Sequence, residues 1–495
     1  MSDEPDEPDE PDESEEAEEP EEAEEPEEPE EPEEPADIEA EELVANPIEQ
    51  ENLRIGTSQW RLSDQASDAG GEVKGYASAT SVNKGERIDF HLTADKRQSV
   101  LLQIYRLGWY DGQGARYVED GTVLAEPQAP CPQDPVTGLL ACDWPVSYSL
   151  TVPHTWTSGI YLAKLTNEAG RDNFINFVVR DDDRNADILY QQPVTTYQAY
   201  NNYPSGKGGK SVYDFSSEGE DTVVGAPRAV KVSFDRPYSK SGAGQVFRWE
   251  HDLLMWLERE GYDINYTTSV DVHSGRSSLT EYKGFISPGH DEYWTREMMD
   301  FLEIARDAGT GIAVFGANAM YWQIRMESPN DDAGERVITV YKNELVDPEP
   351  NANLKTIKHR EVGRPEQGIL GVQYGLCCAA QNGDYVVQNA DHWIYRGSGF
   401  ENGDAVPGIL GYEVDSRVEG VPLTAGGNQV LLSSSLYLGS GNRTLNANSS
   451  IYQTKLGNWV FASGTMSWSW ALNRSGYVNA GIQQTTRNLL NRLIE

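Results

Sequence analysis

The sequence predicts a β-sandwich followed by an α/β domain with a mostly parallel sheet, both behind an acidic tail. Three observations carry this. Residues 1–48 form a Glu- and Pro-rich repeat. Residues 49–182 alternate short apolar runs with Gly, Asn and Pro, as antiparallel sandwiches do. Residues 183–495 alternate helical patterns with short buried strands, the mark of βαβ units. At 495 residues the chain has room for more than one core.

The tail comes first. The chain carries a formal net charge of −42, and residues 1–51 hold 28 Asp and Glu with no Lys or Arg, leaving −14 for the rest. A Glu-Glu-Pro repeat has no apolar face to bury and repels itself, so disorder is expected. It suits a spacer or solubiliser better than a binding site. The mildly acidic body gives no reason to expect nucleic acid or an anionic membrane as partner. No run approaches the length of a membrane span. The opening residues lack the charged start and apolar stretch of a signal peptide. A Pro-Glu spacer suits a secreted or periplasmic protein whose leader was removed, although a cytoplasmic tail would read the same. The expectation leans to export.

Between residues 49 and 182, the runs Glu86–Leu92, Val100–Arg106 and Gly159–Leu165 alternate apolar and polar residues. That spacing predicts a sandwich of immunoglobulin-like type. Trp109, Tyr110, Trp144 and Trp156 could form a carbohydrate platform, but packing in the core or between domains suits them better. Cys131 and Cys142 flank a Pro-rich loop and could pair in an oxidising compartment. Cys377 and Cys378 are adjacent and make a poor ordinary disulfide. Asp181–Asn185 forms a polar boundary.

Ile188–Tyr190 reads as the first strand of the α/β domain, with a glutamine-amidotransferase or flavodoxin-like arrangement expected. Phe247, His251, Leu254 and Leu257 line one helix face, Gly261 stops it, and Tyr262–Tyr266 reads as a strand. The most informative stretch is Phe285–Thr295. An apolar run breaks at Pro288-Gly289 and delivers His290, Asp291 and Glu292 before Thr295, a helix N-cap. In an extended loop side chains alternate, so His290 and Glu292 share one side and Asp291 faces the other. Met298, Phe301, Leu302 and Ala305 repeat with helical spacing, and Gly309 closes that helix. Gly311–Gly316 is the next buried strand, and Asn318 lies just past it. His290, Glu292 and Asn318 should therefore share one rim of the sheet, where open α/β sheets bind ligands.

At these residues a resemblance emerges. Trp256–Tyr262, Gly289–Trp294 and Phe315–Arg325 resemble the large subunit of N,N-dimethylformamidase and its relatives, as do Arg106–Tyr110 and Val232–Pro237. The resemblance runs from about Ile48 to the C-terminus. It implies one mononuclear Fe(III) per chain, held by two tyrosinates and a glutamate. The glutamate corresponds to Glu292, and the tyrosines to Tyr200 and Tyr213, with Tyr197 and Tyr203 as competitors for the first. The family's catalytic His, Asn and Lys map onto His290, Asn318 and Lys342, and Glu413 matches a further acidic residue of its pocket. The family's amidase also pairs with a small second subunit, so a small accessory subunit or a homo-oligomer is implied here.

Each role has a plainer reading. Phenolate and carboxylate are hard donors that suit a hard cation, and tyrosine ligates iron in haem proteins. Yet with 25 tyrosines, any one can be a packing residue with a bonded hydroxyl. Asp291 and Glu292 could simply favour a helix N-terminus, and Asn318 could make a turn. Three functions follow from these readings. The first is a metal-dependent hydrolase of an amide or formamide carbon–nitrogen bond. The second is a metal hydrolase acting on a different amide or a sugar substrate. The third is a non-enzymatic carbohydrate-binding or other secreted recognition protein. Fold alone does not choose the substrate.

Overall fold

The computed structural model describes residues 46–328 and 334–495. The expected acidic tail lies outside the described residues as far as residue 45. The last three residues assigned to it belong to the folded part. Asn46 caps the helix Pro47–Asn52, accepting from the amides of Ile48 and Glu49. Ile48 is fully buried, and Glu51 takes hydrogen bonds from Arg116, Tyr110 and Thr157.

Buried and exposed residues alternate along Arg87–Ala94 and Gln98–Leu107, and this period of two sets each strand's inward face. Arg87–Ala94 is the centre of a three-stranded sheet, between Val73–Ala77 and Tyr148–Thr151. Gln98–Leu107 joins a five-stranded sheet ordered Ser81–Asn83, Asp172–Arg180, Gly159–Asn167, Gln98–Leu107, Ala115–Ala125. Ile88, Phe90 and Leu92 from one sheet meet Leu102, Ile104, Tyr161 and Phe177 from the other in one apolar cluster. Of the four aromatics considered for a carbohydrate platform, Tyr110, Trp144 and Trp156 are buried. Trp109 is partly covered and lies under Arg259.

A seven-stranded sheet follows. Its order is Ile264–Thr268, Ile188–Gln192, Gly284–Gly289, Gly311–Gly316, Trp459–Ala462, Ser450–Gln453, Gln429–Leu431. The first five strands pair in parallel, the last two antiparallel. Every residue of Ile188–Gln192, Gly284–Gly289 and Gly311–Gly316 is buried, as in parallel sheets covered on both faces. The helix Arg296–Ala308 starts at Thr295, whose hydroxyl accepts from the Met298 amide at 3.2 Å, and ends at Gly309 with φ 113°. It buries Met298, Leu302 and Ala305, whereas Phe301 is 36% exposed at the edge of that face.

Two sequence expectations change here. The strand does not break at Pro288-Gly289: both stay in register, Pro288 opposite Phe315 and Gly289 opposite Gly316. The loop is therefore only His290–Glu292. A short strand, Tyr293–Thr295, then pairs with Trp322–Ile324 before the helix begins. It belongs to a four-stranded sheet with Trp322–Glu327, Val337–Thr339 and Lys231–Ser233. Residues 373–447 add three short antiparallel pairs, and Glu413 heads the strand Glu413–Ser416.

The parts expected as separate domains, 49–182 and 183–495, pack into one unit among the described residues from 46 onward. One apolar cluster includes Tyr105, Leu107 and Ile160 together with Ile188, Leu254 and Trp256. Through it runs a fully buried ion pair: Arg106 donates to the Glu258 carboxylate at 2.7 and 2.9 Å, and Tyr266 adds a bond at 2.8 Å. Removing one member of such a pair typically costs about 3–5 kcal/mol, because the other is left charged and buried. Two of the Trp-containing motifs thus meet in a structural clamp, away from the sheet rim.

Candidate functional site

The rim where Gly284–Gly289 and Gly311–Gly316 end carries the convergent polar groups. Gly289 has φ 45°, and a Cβ there would stand 2.5 Å from Trp249 Cβ and 2.7 Å from the Trp249 carbonyl oxygen. A side chain would push the two segments apart, so this strand end can close only with glycine. Beyond it the side chains alternate. Asp291 turns into the sheet and accepts from Gln191 at 2.6 Å and Ser287 at 2.9 Å. His290 and Glu292 face the other way, with His290 Nε2 3.3 Å from Glu292 Oε2.

Glu292 meets two tyrosines. The Tyr200 hydroxyl, at the end of the helix Val194–Tyr200, donates to Glu292 Oε2 at 2.7 Å. The Tyr213 hydroxyl lies 2.7 Å from that of Tyr200 and 2.9 and 3.1 Å from the two Glu292 oxygens. Tyr293 adds a third phenol, 2.5 Å from the Tyr213 hydroxyl. The Thr196 hydroxyl accepts from the Glu292 amide at 2.9 Å and fixes the backbone beneath. The two competitors stand elsewhere. The Tyr197 hydroxyl is buried without a partner, its ring edge-on to Tyr238. Tyr203 packs with Tyr76, Leu140 and Trp144 in a separate cluster.

The segment between the two tyrosines is pinned from below. Arg236, buried, donates to the carbonyls of Asn201 at 2.9 Å and Lys210 at 3.1 Å. Burial without a carboxylate partner lowers its pKa to about 9. Arg325 does similar work nearby. It holds Asp347 with two bonds of 2.9 Å, and Asp347 in turn accepts from Thr356, whose carbonyl takes the Lys342 amide.

Burial and the neighbouring Glu292 carboxylate drive the Tyr200 and Tyr213 phenols well above their ordinary pKa. Burial also works against ionised Glu292, but the His290 imidazole 3.3 Å away, the charge of Lys342 and the hydrogen bond from Tyr200 outweigh it and hold that carboxyl low. In the absence of a cation, the tyrosines are therefore neutral donors to a carboxylate. A hard cation among the three oxygens would favour loss of both phenol protons, since ligands bind deprotonated. Two phenolates and one carboxylate fit Fe(III) on the chemistry of their donors.

His290, Asn318 and Glu413 form a second group beside the first. His290 Nδ1 lies 3.0 Å from Gln245 Oε1, an acceptor, so Nδ1 carries the proton. Nε2 then faces Glu292 and, at 3.7 Å, Glu413, with no hydrogen bond of its own. Burial pulls the His290 pKa down, but the two carboxylates more than offset it and raise it. Asn318 has φ 57°, tolerable for asparagine, and its amide donates to Asp415 at 2.8 Å. Its Nδ2 donates to Glu413 at 2.8 Å, and burial pushes the Glu413 carboxyl up to about 7. The Lys342 Nζ lies 3.6 Å from the centre of the Tyr213 ring and 4.9 Å from that of Trp322. Burial lowers it to about 7.

Sequence reasoning missed Gln245, Tyr293 and Arg236. Tyr293 adjoins Glu292, but alternation places neighbouring side chains on opposite sides, so no local pattern brings its hydroxyl to Tyr213. Gln245 carries no local signal. Cys131 and Cys142 are paired, as their placement allowed, and Cys377 and Cys378, expected to make a poor disulfide, are also joined to each other. Both sulfurs of the adjacent pair lie within 4.8 Å of a Glu413 oxygen. As a disulfide this pair offers no thiolate, so it adds no metal ligand there.

Residues 101–483 match the family described as N,N-dimethylformamidase beta subunit-like, C-terminal. No curated protein matches the chain. Among solved structures, a cycloisomaltooligosaccharide glucanotransferase of Paenibacillus sp., complexed with cycloisomaltoheptaose, aligns at 8% identity and a TM-score of 0.17. The alignment covers 49% of this chain and 44% of that one, so the chain spans less than half the length of that structure.

Proposed function

The chain belongs to the N,N-dimethylformamidase beta subunit-like family, and from that premise we propose that it hydrolyses a non-peptide amide or formamide carbon–nitrogen bond at a mononuclear ferric site. The observation that carries the reading is the meeting of Tyr200, Tyr213 and Glu292 beside the unbonded Nε2 of His290. Tyr200, Tyr213 and Glu292 would hold the iron. When bound, iron supplies Lewis acidity toward the amide carbonyl and makes water more acidic.

The chain's own groups supply the rest. His290 Nε2 takes a proton from the attacking water and delivers it to the departing amine nitrogen. Gln245 keeps the imidazole in the tautomer that leaves Nε2 free. Asn318 uses one Nδ2 hydrogen to stay on Glu413 and has the other for the carbonyl oxygen as charge grows there. Lys342, seated on the Tyr213 ring, offsets the negative charge gathered at Tyr213 and Glu292. Glu413 orients Asn318.

The family takes its name from a beta subunit, which favours assembly with a small accessory subunit or with further copies. Two disulfides favour an oxidising compartment. The test is iron analysis and a visible spectrum of the purified protein, followed by hydrolysis assays on small formamides and acylated amines. A tyrosinate-to-iron absorption band with amide turnover is the expected result. A protein that takes up no iron, or takes it up and cleaves none of the amides, overturns the reading.

A further inference from the structure

Tyr200 and Gln245, which face the proposed iron and the histidine, also line a cavity of about 450 Å³. A formamide of a few heavy atoms leaves most of that space empty, since cavities of roughly 300–1,000 Å³ take ligands of drug size. The lining also holds Tyr238, Lys240, Arg248 and Tyr412, and no carboxylate lines the cavity among the described residues. That is unusual for a chain whose net charge outside the tail is still negative.

Arg248 is held in place. Its guanidinium carbon lies 4.6 Å from the Trp249 ring centre and 5.5 Å from that of Tyr412, and Trp249 stacks on Trp470 at 5.9 Å. Arg474 covers the same Trp470 at 4.2 Å, but Asp252 neutralises it at 2.7 Å. Arg248 has no such partner: no ion pair involves it among the described residues, and Glu413 acts on it only through space. A planar guanidinium fixed by ring stacking, with its donors free, is the arrangement that recognises a carboxylate with two parallel bonds. Lys240 presents a second cation, its backbone anchored by Asp68, Lys74 and Asn173.

We propose that the substrate is an N-acyl compound bearing a carboxylate near its amide, gripped by the Arg248 guanidinium in the cavity that Tyr200 and Gln245 also line, with Lys240 adding a second positive charge to the lining. This rests on the amide-hydrolase reading for what happens at the iron, though not for the binding itself. A substrate larger than a simple formamide suits the cavity's size, and binding energy gathered at its anion orients the amide against His290 and Asn318.

The experiment compares N-acetylphenylalanine with the uncharged N-acetylphenylalaninamide on the iron-loaded full chain, by calorimetry and by hydrolysis. The acid should bind at least about tenfold tighter, the scale of a charged hydrogen-bonded pair. Arg248→Gln should erase the preference, Arg248→Lys should keep part of it, and Lys240→Gln should reduce it, all with unchanged melting. Equal binding of the two probes, binding of neither, or a preference that survives Arg248→Gln overturns the proposal. Selective binding without cleavage supports it while removing the hydrolase reading. Cleavage of both probes at equal efficiency does the reverse.

Discussion

The Arg236 guanidinium donates to the Asn201 carbonyl at 2.9 Å, one residue past Tyr200, and to that of Lys210 at 3.1 Å, three residues before Tyr213. A single buried side chain thus sets the spacing of both tyrosines that face Glu292. Its cation has no carboxylate partner among the described residues, and its bonds to backbone oxygens help to offset burial.

Arg236→Gln should therefore weaken iron binding without removing a ligand. Outer partners of metal ligands typically contribute about 10–100-fold in affinity. Iron titration of the variant, with melting as a control, checks this. Unchanged affinity would mean that the tyrosines hold their positions without the clamp.

Glu292→Ala, Tyr200→Phe and Tyr213→Phe should each cut bound iron, while Tyr197→Phe and Tyr203→Phe keep it. The reason is geometric: the first three share oxygen contacts, and the last two hydroxyls lie in other surroundings. Tyr293→Phe should shift the absorption band yet retain metal, because its hydroxyl bonds Tyr213 and not Glu292. Metal analysis of purified variants decides between these outcomes, and full iron in the Tyr213 variant would move the site elsewhere.

His290→Ala and Asn318→Ala should keep iron and fold but lose turnover. Loss of one well-aimed charge-stabilising group costs about two to three orders of magnitude. Single-turnover assays on iron-loaded variants provide the measurement. If His290→Ala loses metal together with activity, the histidine is a ligand and the division of roles fails.

Acid should weaken the fold partly through His359. Its Nε2 lies 3.2 Å from the Trp294 carbonyl and its Nδ1 is buried without a partner. Burial lowers its pKa to about 3. The unfolded chain takes up this proton near pH 6.5 and the folded chain does not. The contribution is therefore complete above about pH 6.5 and falls by about 1.4 kcal/mol per pH unit as pH drops toward 3. Buried carboxyls raised by burial, such as Asp415 at about 7, act in the opposite sense. The clean measurement is thus a difference. His359→Gln keeps a donor for Trp294 but cannot titrate, so the stability gap between wild type and variant should shrink by about 3 kcal/mol from pH 6.5 to 4. A gap independent of pH would show that His359 titrates normally in the fold.

What the sequence determined by itself is local. The Thr295 cap, the Gly309 stop, the strand Gly311–Gly316 and the shared side of His290 and Glu292 all follow from periods of 3.6 and 2 and from which residues suit a helix end. Those rules act over a few residues, so they survive reading without a partner. They falter where local geometry is decided by a neighbour. Pro288 stays in its strand because Phe315 stands opposite, and Tyr293–Thr295 is a strand only because Trp322–Ile324 pairs with it. Tyr200 and Tyr213 entered through resemblance, since no periodicity distinguishes two tyrosines among 25. Their meeting with Glu292 spans 92 and 79 residues. Only the tertiary structure brought Gln245 to His290, Arg106 to Glu258 and Arg236 under the tyrosine loop, and set Lys342 on the Tyr213 ring. Each of these contacts joins residues far apart in sequence. Sheet register and core packing decide which distant side chains share a few ångströms, and no local pattern encodes either.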